Sequence, residues 1–339
     1  MPAAGNKHRR TILILSGSFV LLLVVGVLGV CYGSSSISPI DLWALMAGGE
    51  TKGSAGTAQA IIVNIRLPRV LGAVLAGAAL AVAGAIIQAV LNNPLASPNI
   101  IGVNTGAGVA VLITAALFPA LGYLLPVAAF VGALAAALII LAISVGGGVS
   151  KLTLVLAGIA ISTVFTAGMN TILIVYPDAY VGSGTFLVGG LSGLTLHKLL
   201  GPAGYIIVAL VLALFQGRTL NIITLGDVTA QSLGMRVALR RFFLIVLAAM
   251  LAGAAVSFAG LLGFVGLIVP HVVRFMLGSD NRLVLPASAL IGASFVTLCD
   301  LLARVVFAPY ELPVGILMAF IGGPFFILLI VRYRRSNFE

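Results

Sequence analysis

Apolar residues run through this chain in long blocks, and polar residues appear mainly as short interruptions between them. A run of about 17–25 apolar residues is what an α-helix needs to cross the roughly 30 Å hydrocarbon core of a bilayer. Ten such runs can be placed, near residues 11–33, 67–90, 100–118, 124–145, 152–176, 200–216, 242–259, 261–277, 283–302 and 313–331. Their boundaries are least marked at Gly260 and around Pro119–Pro126. The pattern predicts an all-α integral membrane protein of about ten transmembrane helices, with residues 1–339 forming one membrane domain. Among the interruptions, Ser34–Ile65 contains "SPIDLWAL", which reads as a short interfacial helix anchored by Trp43. Pro177–Lys198 is rich in Gly and Ser and fits another short helix. The third, "TLGDVTAQSLGMRVALRR" from Thr224 to Arg241, places an aspartate and three arginines in a chain otherwise suited to lipid.

Composition strengthens the membrane reading. The 339 residues are 61% hydrophobic and 8% charged, against about 25% charged in soluble domains. The 41 glycines suit helices that pack backbone to backbone. A net charge of +10 would suggest nucleic acid in a soluble protein. Here the basic residues lie in loops between spans, and no nucleic-acid partner is implied. Cys31 and Cys299 lie far apart in apolar stretches and give neither metal spacing nor a disulfide framework. Lys7, Arg9 and Arg10 followed by an apolar run resemble a signal peptide, and "LGVC" a lipidation box. The uncharged run from Thr11 to Ile40 is longer than a signal peptide's apolar region, so a retained first span is expected. With that N-terminus inside, five basic residues (Lys52, Arg66, Arg69, Lys198 and Arg304) fall outside and the remaining thirteen of 18 inside. The bias predicts that both termini and the Thr224–Arg241 stretch are cytoplasmic.

The chain also repeats itself. "LAGAALAVAG" (Leu75–Gly84) matches "LAGAAVSFAG" (Leu251–Gly260) at seven of ten positions. The copies lie in spans 2 and 7, five spans apart, and so run in opposite directions through the bilayer. Inverted repeats of this kind belong to transporters rather than to membrane anchors.

Chemistry for catalysis is sparse. His8, His197 and His271 are dispersed and form no metal-ligand pattern, so no catalytic or metal residue is assigned. "GGGVSK" lacks the Gly-Lys step of a phosphate-binding loop, and no Gly-Lys dipeptide occurs anywhere. The chain is therefore not its own ATPase and is expected to bind no cofactor. A secondary transporter, the competing class, needs a coupling carboxylate near mid-membrane. Asp300 is the best candidate, but Arg304 lies one helical turn on and points to a local ion pair instead.

Energy must then come through a contact with another subunit. The stretch around 219–241 suits that role, as a polar helix bounded by Gly226 and Gly234 with Asp227 at its start. Thr229 and Ala230 would keep its surface flat for docking. Arg236, Arg240 and Arg241 keep it out of the bilayer, where each would cost roughly 2.5–3.5 kcal/mol. The bland alternative is an amphipathic loop lying on the lipid.

Five segments carry a family resemblance: "RLPRVLGAVLAGAALAVAGAIIQAVLNNPLASPNIIGVNTGA", "LVLAGIAIST", "LNIITLGDVTAQSLGM", "GFVGLIVPHVVR" and "ELPVGILMAFIGGPFF". In order and content they resemble the FecCD-type permeases, the membrane subunits of type II ABC importers for ferric siderophores, haem and cobalamin. The resemblance spans residues 66 to 326 and implies a ten-helix subunit of a bacterial plasma (inner) membrane. It implies a second permease subunit, two ABC ATPase subunits carrying ATP and Mg, and an extracytoplasmic binding protein that delivers a metal chelate. An iron–siderophore complex is the expected substrate, with haem or cobalamin as alternatives. The ATPase contact maps onto Gly226, Asp227, Thr229, Ala230, Ser232, Leu233, Gly234 and Met235. Binding-protein docking maps onto Arg66, Arg69 and Arg304. A cytoplasmic gate maps onto Asn93 and Leu95 of the "NPLA" turn and, more loosely, onto Ser150 and Lys151. Many relatives carry a glutamate where this chain has Asp-Val-Thr-Ala.

Overall fold

A computed structural model of the chain describes residues 4–33, 59–145 and 151–336. Among these residues the fold is helical throughout. We number the helices α1 (Ala4–Cys31), α2 (Leu67–Leu91), α3 (Val103–Leu117), α4 (Leu125–Val145), α5 (Lys151–Val175), α6 (Ala179–Val188), α7 (Leu196–Leu214), α8 (Gly217–Thr224), α9 (Asp227–Ser232), α10 (Val237–Ala259), α11 (Val265–Leu277), α12 (Asn281–Val305) and α13 (Val314–Ser336). Each of the ten apolar runs supplies one of the longer helices, and α6 is the short helix expected in Pro177–Lys198. "SPIDLWAL" and Ser150 lie outside the described residues.

Two runs make shorter helices than their hydropathy suggests. α11 has 13 residues and α3 has 15, about 20 and 22 Å at 1.5 Å per residue. In both, the first part of the apolar run is spent on a turn. A 3-10 turn, Pro98–Ile101, and Gly102 at φ 72° precede α3. Gly260 at φ 72° and Phe264 at φ 65° precede α11. Irregular backbone is tolerated at membrane depth where protein encloses it, so an apolar turn and an apolar helix look alike in sequence. The two interrupted runs occupy corresponding positions in the two halves of the chain, as expected of an inverted repeat.

Packing follows the same repeat. The heart of the bundle is α2, α10 and α12, largely buried, while α1, α5 and α7 keep most of their surface exposed. α2 packs against α12 and α11, and α10 packs against α4 and α3. If span 2 corresponds to span 7, these two contacts of α2 have their counterparts around α10. Close approach depends on glycine. A Cβ on Gly84 would overlap the carbonyl oxygen of Gly266, so α2 and α11 meet backbone to backbone. α2 meets α12 in the same way at Gly77 and Gly292.

Gly84→Leu should push α2 and α11 apart at a point where no side chain can yield. A cost of about 3 kcal/mol, at the upper end for overpacking, is expected. The measurement is thermal unfolding of purified protein in detergent. Gly26→Ala is the control, since nothing lies within 4 Å of a Cβ there.

Candidate functional site

The Thr224–Arg241 stretch is not one helix. It begins with α8, whose Leu220 and Ile223 are buried, and continues through Gly226 at φ 98° into α9. Gly234, at φ 79°, ends α9, and α10 then enters the bundle. The two glycines are the element ends that the sequence predicts, because a left-handed or extended positive-φ turn suits no other residue as well. Two expectations need correction. Ala230 is fully buried and holds α9 down, so it presents no docking surface. Arg241 is also buried, with Nη2 donating to Asp227 Oδ1 at 2.7 Å, which ties the start of α9 to the first turns of α10. The exposed face is not flat. It carries Leu225, Val228 and Leu233 as apolar projections, with Thr229 and Ser232 between them. Beside them lies an open groove of about 500 Å³, lined by Ile222, Met235, Arg236 and Arg240 among others.

Behind α8 lies a chain of neutral and charged hydrogen bonds that sequence reasoning missed. Asn221 Nδ2 donates to Asp280 Oδ1 at 2.7 Å, and Asn221 Oδ1 accepts from the backbone N–H and Nδ2 of Asn281 at 2.8 and 2.9 Å. Burial opposes ionisation of Asp280. Hydrogen bonds from Asn221 and the Arg282 N–H, with the Arg282 charge, nonetheless hold its carboxyl below the usual carboxylate range. Asn281 Oδ1 accepts from Arg274 Nη2 at 3.4 Å, and Arg274 Nη1 donates to Gln88 Oε1. Gln88 Nε2 donates to the carbonyls of Gly266 and Leu267 at 3.3 and 3.2 Å. One signal was available: Pro270 inside α11 has no N–H for the carbonyl four residues back, which is that of Gly266.

The opposite end of the bundle holds Arg66, Arg69 and Arg304, and here the docking expectation is corrected. Their residues are only 4%, 6% and 3% exposed. Arg69 pairs with Asp300 at 2.9 Å and with Glu311 at 2.6 Å. Arg304 Nε lies 3.1 Å from Asp300 Oδ2, the local ion pair that the i, i+4 spacing suggested. Arg66 Nη1 donates to the carbonyls of Val30 and Cys31, and Arg304 Nη1 to those of Gly29 and Tyr32. The final carbonyls of α1 have no partners within the helix, and two arginines supply them. These side chains hold α1, α2 and α12 together and are not free for an external carboxylate.

The gate residues lie at the end of α2. Asn92 closes that helix at φ 50°, and Asn93 Oδ1 accepts from the Leu95 N–H at 2.9 Å. Asn93 is exposed and Leu95 half-buried, and Lys151 opens α5. One α-helical face of α5 then forms an open cleft of about 580 Å³ with the turn before α3. Asn99, Ser162, Thr163, Thr166 and Asn170 line it, and no charged side chain does.

Asp300→Asn should leave the Arg69 and Arg304 guanidiniums short of a buried counter-charge. Breaking such a group costs about 3–5 kcal/mol, so a marked loss of thermal stability in detergent is expected. An unchanged melting temperature would show that the cluster is solvated.

Known proteins resemble the chain over nearly its whole length. The Fe(3+)-citrate import system permease YfmE of Bacillus subtilis (strain 168) is 38% identical over 333 residues, covering 97% of this chain and 98% of that protein. The hemin transport system permease HmuU of Yersinia pestis is 38% identical over 334 residues, covering 96% and 97%. An inward-facing structure of an ABC transporter, described as of metal-chelate type, superposes with TM-score 0.83 at 28% identity, covering 94% of this chain and 99% of that one. The sequence profile of the FecCD transport family matches residues 21–332, and the chain belongs to that family.

Proposed function

We propose that this chain is the permease subunit of an ATP-driven importer that carries an iron–siderophore complex across the plasma membrane, with haem or cobalamin as the alternative cargo. Supporting it, relatives of nearly full length import ferric citrate and hemin by their names. The observation that carries it is the exposed apolar face of Leu225, Val228 and Leu233 beside its groove, on a chain with no phosphate-binding loop. Two ABC ATPase subunits dock there, one on each of two permease subunits, and that end of the bundle faces the cytoplasm together with both termini. An extracytoplasmic binding protein delivers the chelate to the other end. Arg66, Arg69 and Arg304 serve that encounter by fixing the outer surface from beneath.

The cleft beside α5 is the chelate's route. In a helix that otherwise meets lipid or a partner, Ser162, Thr166 and Asn170 repeat every four residues and so share one face. Their hydroxyls and amide wet a passage without gripping an anion, and specificity is left to the binding protein. Asp300 is engaged by Arg69 and Arg304 at the end of the bundle, which leaves it badly placed as the coupling carboxylate of a proton-driven alternative.

Proteoliposomes containing the permease, its ATPase and a chelate-loaded binding protein should take up radiolabelled ferric siderophore only when ATP is present. The permease alone should show no saturable chelate binding at micromolar concentration, and a tight signal there would reveal a site in the permease itself. Replacing Val228 and Leu233 together by glutamate should release the ATPase on co-purification while the permease stays monodisperse in detergent. Stoichiometric ATPase on that variant would refute the docking assignment.

A further inference from the structure

Arg274, Gln88, Asn281 and Asn221 form a continuous path, and its two ends differ in kind. One end is α8, the element next to the proposed ATPase surface. The other is the first turn of α11, at Gly266 and Leu267. We propose that this path is a coupling relay: a displacement of α8 is transmitted through Asn281, Arg274 and Gln88 to the turn between α10 and α11, and so to the passage. The inference rests on the permease reading above and goes beyond it by naming the residues that carry the stroke.

The near end is a latch with three bonds. Asn221 grips both residues at the N-terminal boundary of α12, Asp280 and Asn281, using its amide donor and its carbonyl acceptor together. Gly217, at the start of α8, sits so close to Arg282 that a Cβ would lie 2.8 Å from its Cα. α8 therefore cannot shift without carrying the start of α12 with it or breaking the latch.

The middle of the relay is shared between helices. Arg274 projects from α11 and donates to Gln88 of α2, to Asn281 of α12 and, at 3.3 Å, to the carbonyl of Ala85. A planar guanidinium with several donors in a fixed fork imposes one geometry on all three partners. Moving any one of them tilts the fork for the others.

The far end is a weak place in the backbone. Pro270 leaves the Gly266 carbonyl without its helical donor, and Gln88 Nε2 takes that role. Just before it, Phe264 holds φ 65°, a strained conformation for a bulky residue. Its ring lies where Gly322 of α13 has no side chain. The same turn is stitched to α6 by bonds from Leu261 N–H to Phe186 O and from Gly190 N–H to Ala259 O, each 2.9 Å. A third bond, from Gly315 N–H to Gly189 O at 3.0 Å, brings in the start of α13. Asn104 Nδ2 of α3 reaches the Leu262 carbonyl at 3.2 Å. Releasing Gln88 from Gly266 thus loosens the single turn that joins α3, α6, α10, α11 and α13.

The test uses the reconstituted complex of permease, ATPase and binding protein, with variants Asn281→Ala and Gln88→Leu and the cation-retaining Arg274→Lys. Five quantities are read: ATPase co-purified, melting temperature in detergent, basal hydrolysis, hydrolysis stimulated by loaded binding protein, and chelate imported per ATP. For Asn281→Ala and Gln88→Leu, co-purification should be retained and basal hydrolysis should stay within about twofold, while chelate imported per ATP falls about tenfold, within the usual range of coupling between sites. Arg274→Lys should fall between these variants and the wild type, because a single ammonium cannot hold three partners in one plane. The double variant Asn281→Ala/Gln88→Leu should be no worse than the poorer single variant, since both cut one path. Unchanged import per ATP in Asn281→Ala would overturn the relay. So would a loss that tracks ATPase dissociation or melting temperature, or single effects that multiply in the double variant. A wild-type complex that fails to couple ATP to import would instead refute the permease reading on which the relay rests.

Discussion

A carbonyl freed from its helix inside a membrane has no water to bond, and the chain must supply a donor itself. That requirement explains several of the polar side chains buried among the described residues. The last carbonyls of α1 take Arg66 and Arg304. The Gly266 carbonyl, orphaned by Pro270, takes Gln88, and the Leu262 carbonyl takes Asn104. The turn after α6 and the turn after α10 serve each other through backbone bonds. Each donor comes from a different helix than the carbonyl it serves, so satisfying the backbone also fixes the bundle.

Such donors reach their carbonyls only if the helices stand close. Glycine at Gly84 and Gly266, and at Gly77 and Gly292, brings α2 against α11 and α12. Gln88 is one turn beyond Gly84, which places its amide beside the first turn of α11. The inverted repeat then supplies two interrupted spans, the runs that yield α3 and α11, on opposite sides of the α2 and α10 pair. Backbone turns at depth and the donors that serve them thus arise together from one packing pattern.

Much of this was legible in the sequence, because hydropathy reports burial in lipid directly. The ten helical runs, the short α6, the repeat, and the glycine ends Gly226 and Gly234 were all read from the chain. What escaped were facts about direction and distance. Ala230 looked like surface because it lies in a polar stretch, yet α9 turns it inward. Arg66 and Arg69 looked like surface because arginine at a span's end usually is, but Arg69 meets Asp300 and Glu311 from more than 230 residues away and Arg66 turns onto the carbonyls of Val30 and Cys31. Gln88 gives no periodic signal, being a single amide in an apolar run, and Asn281 stands between Asp280 and Arg282, where a polar residue carries no message of its own. Their meaning depends on Pro270 and Arg274, which only the packing brings near. The start of α11 was misplaced because Leu261–Phe264 is as apolar in a buried turn as it would be in a helix.

The two ends of the bundle are held by different chemistry, and the difference bears on motion. At the Arg69 end, buried ions share Asp300, and separating such a group costs about 3–5 kcal/mol. At the Asn221 end, the contacts are hydrogen bonds, each contributing about 0.5–1.5 kcal/mol net between neutral amides and about 1.5–3 kcal/mol where Asp280 or Arg274 takes part. An amide that leaves one carbonyl can find another or a water at the edge of the membrane, whereas a buried guanidinium cannot trade its carboxylate. A force applied at α8 therefore meets its least resistance along Asn221, Asn281 and Gln88, while α1, α2 and α12 stay clamped at their far ends. Helices fixed at one end and re-bonded at the other pivot rather than slide. The point that such a pivot displaces most easily is the strained turn at Phe264, where the helical ladder is already broken.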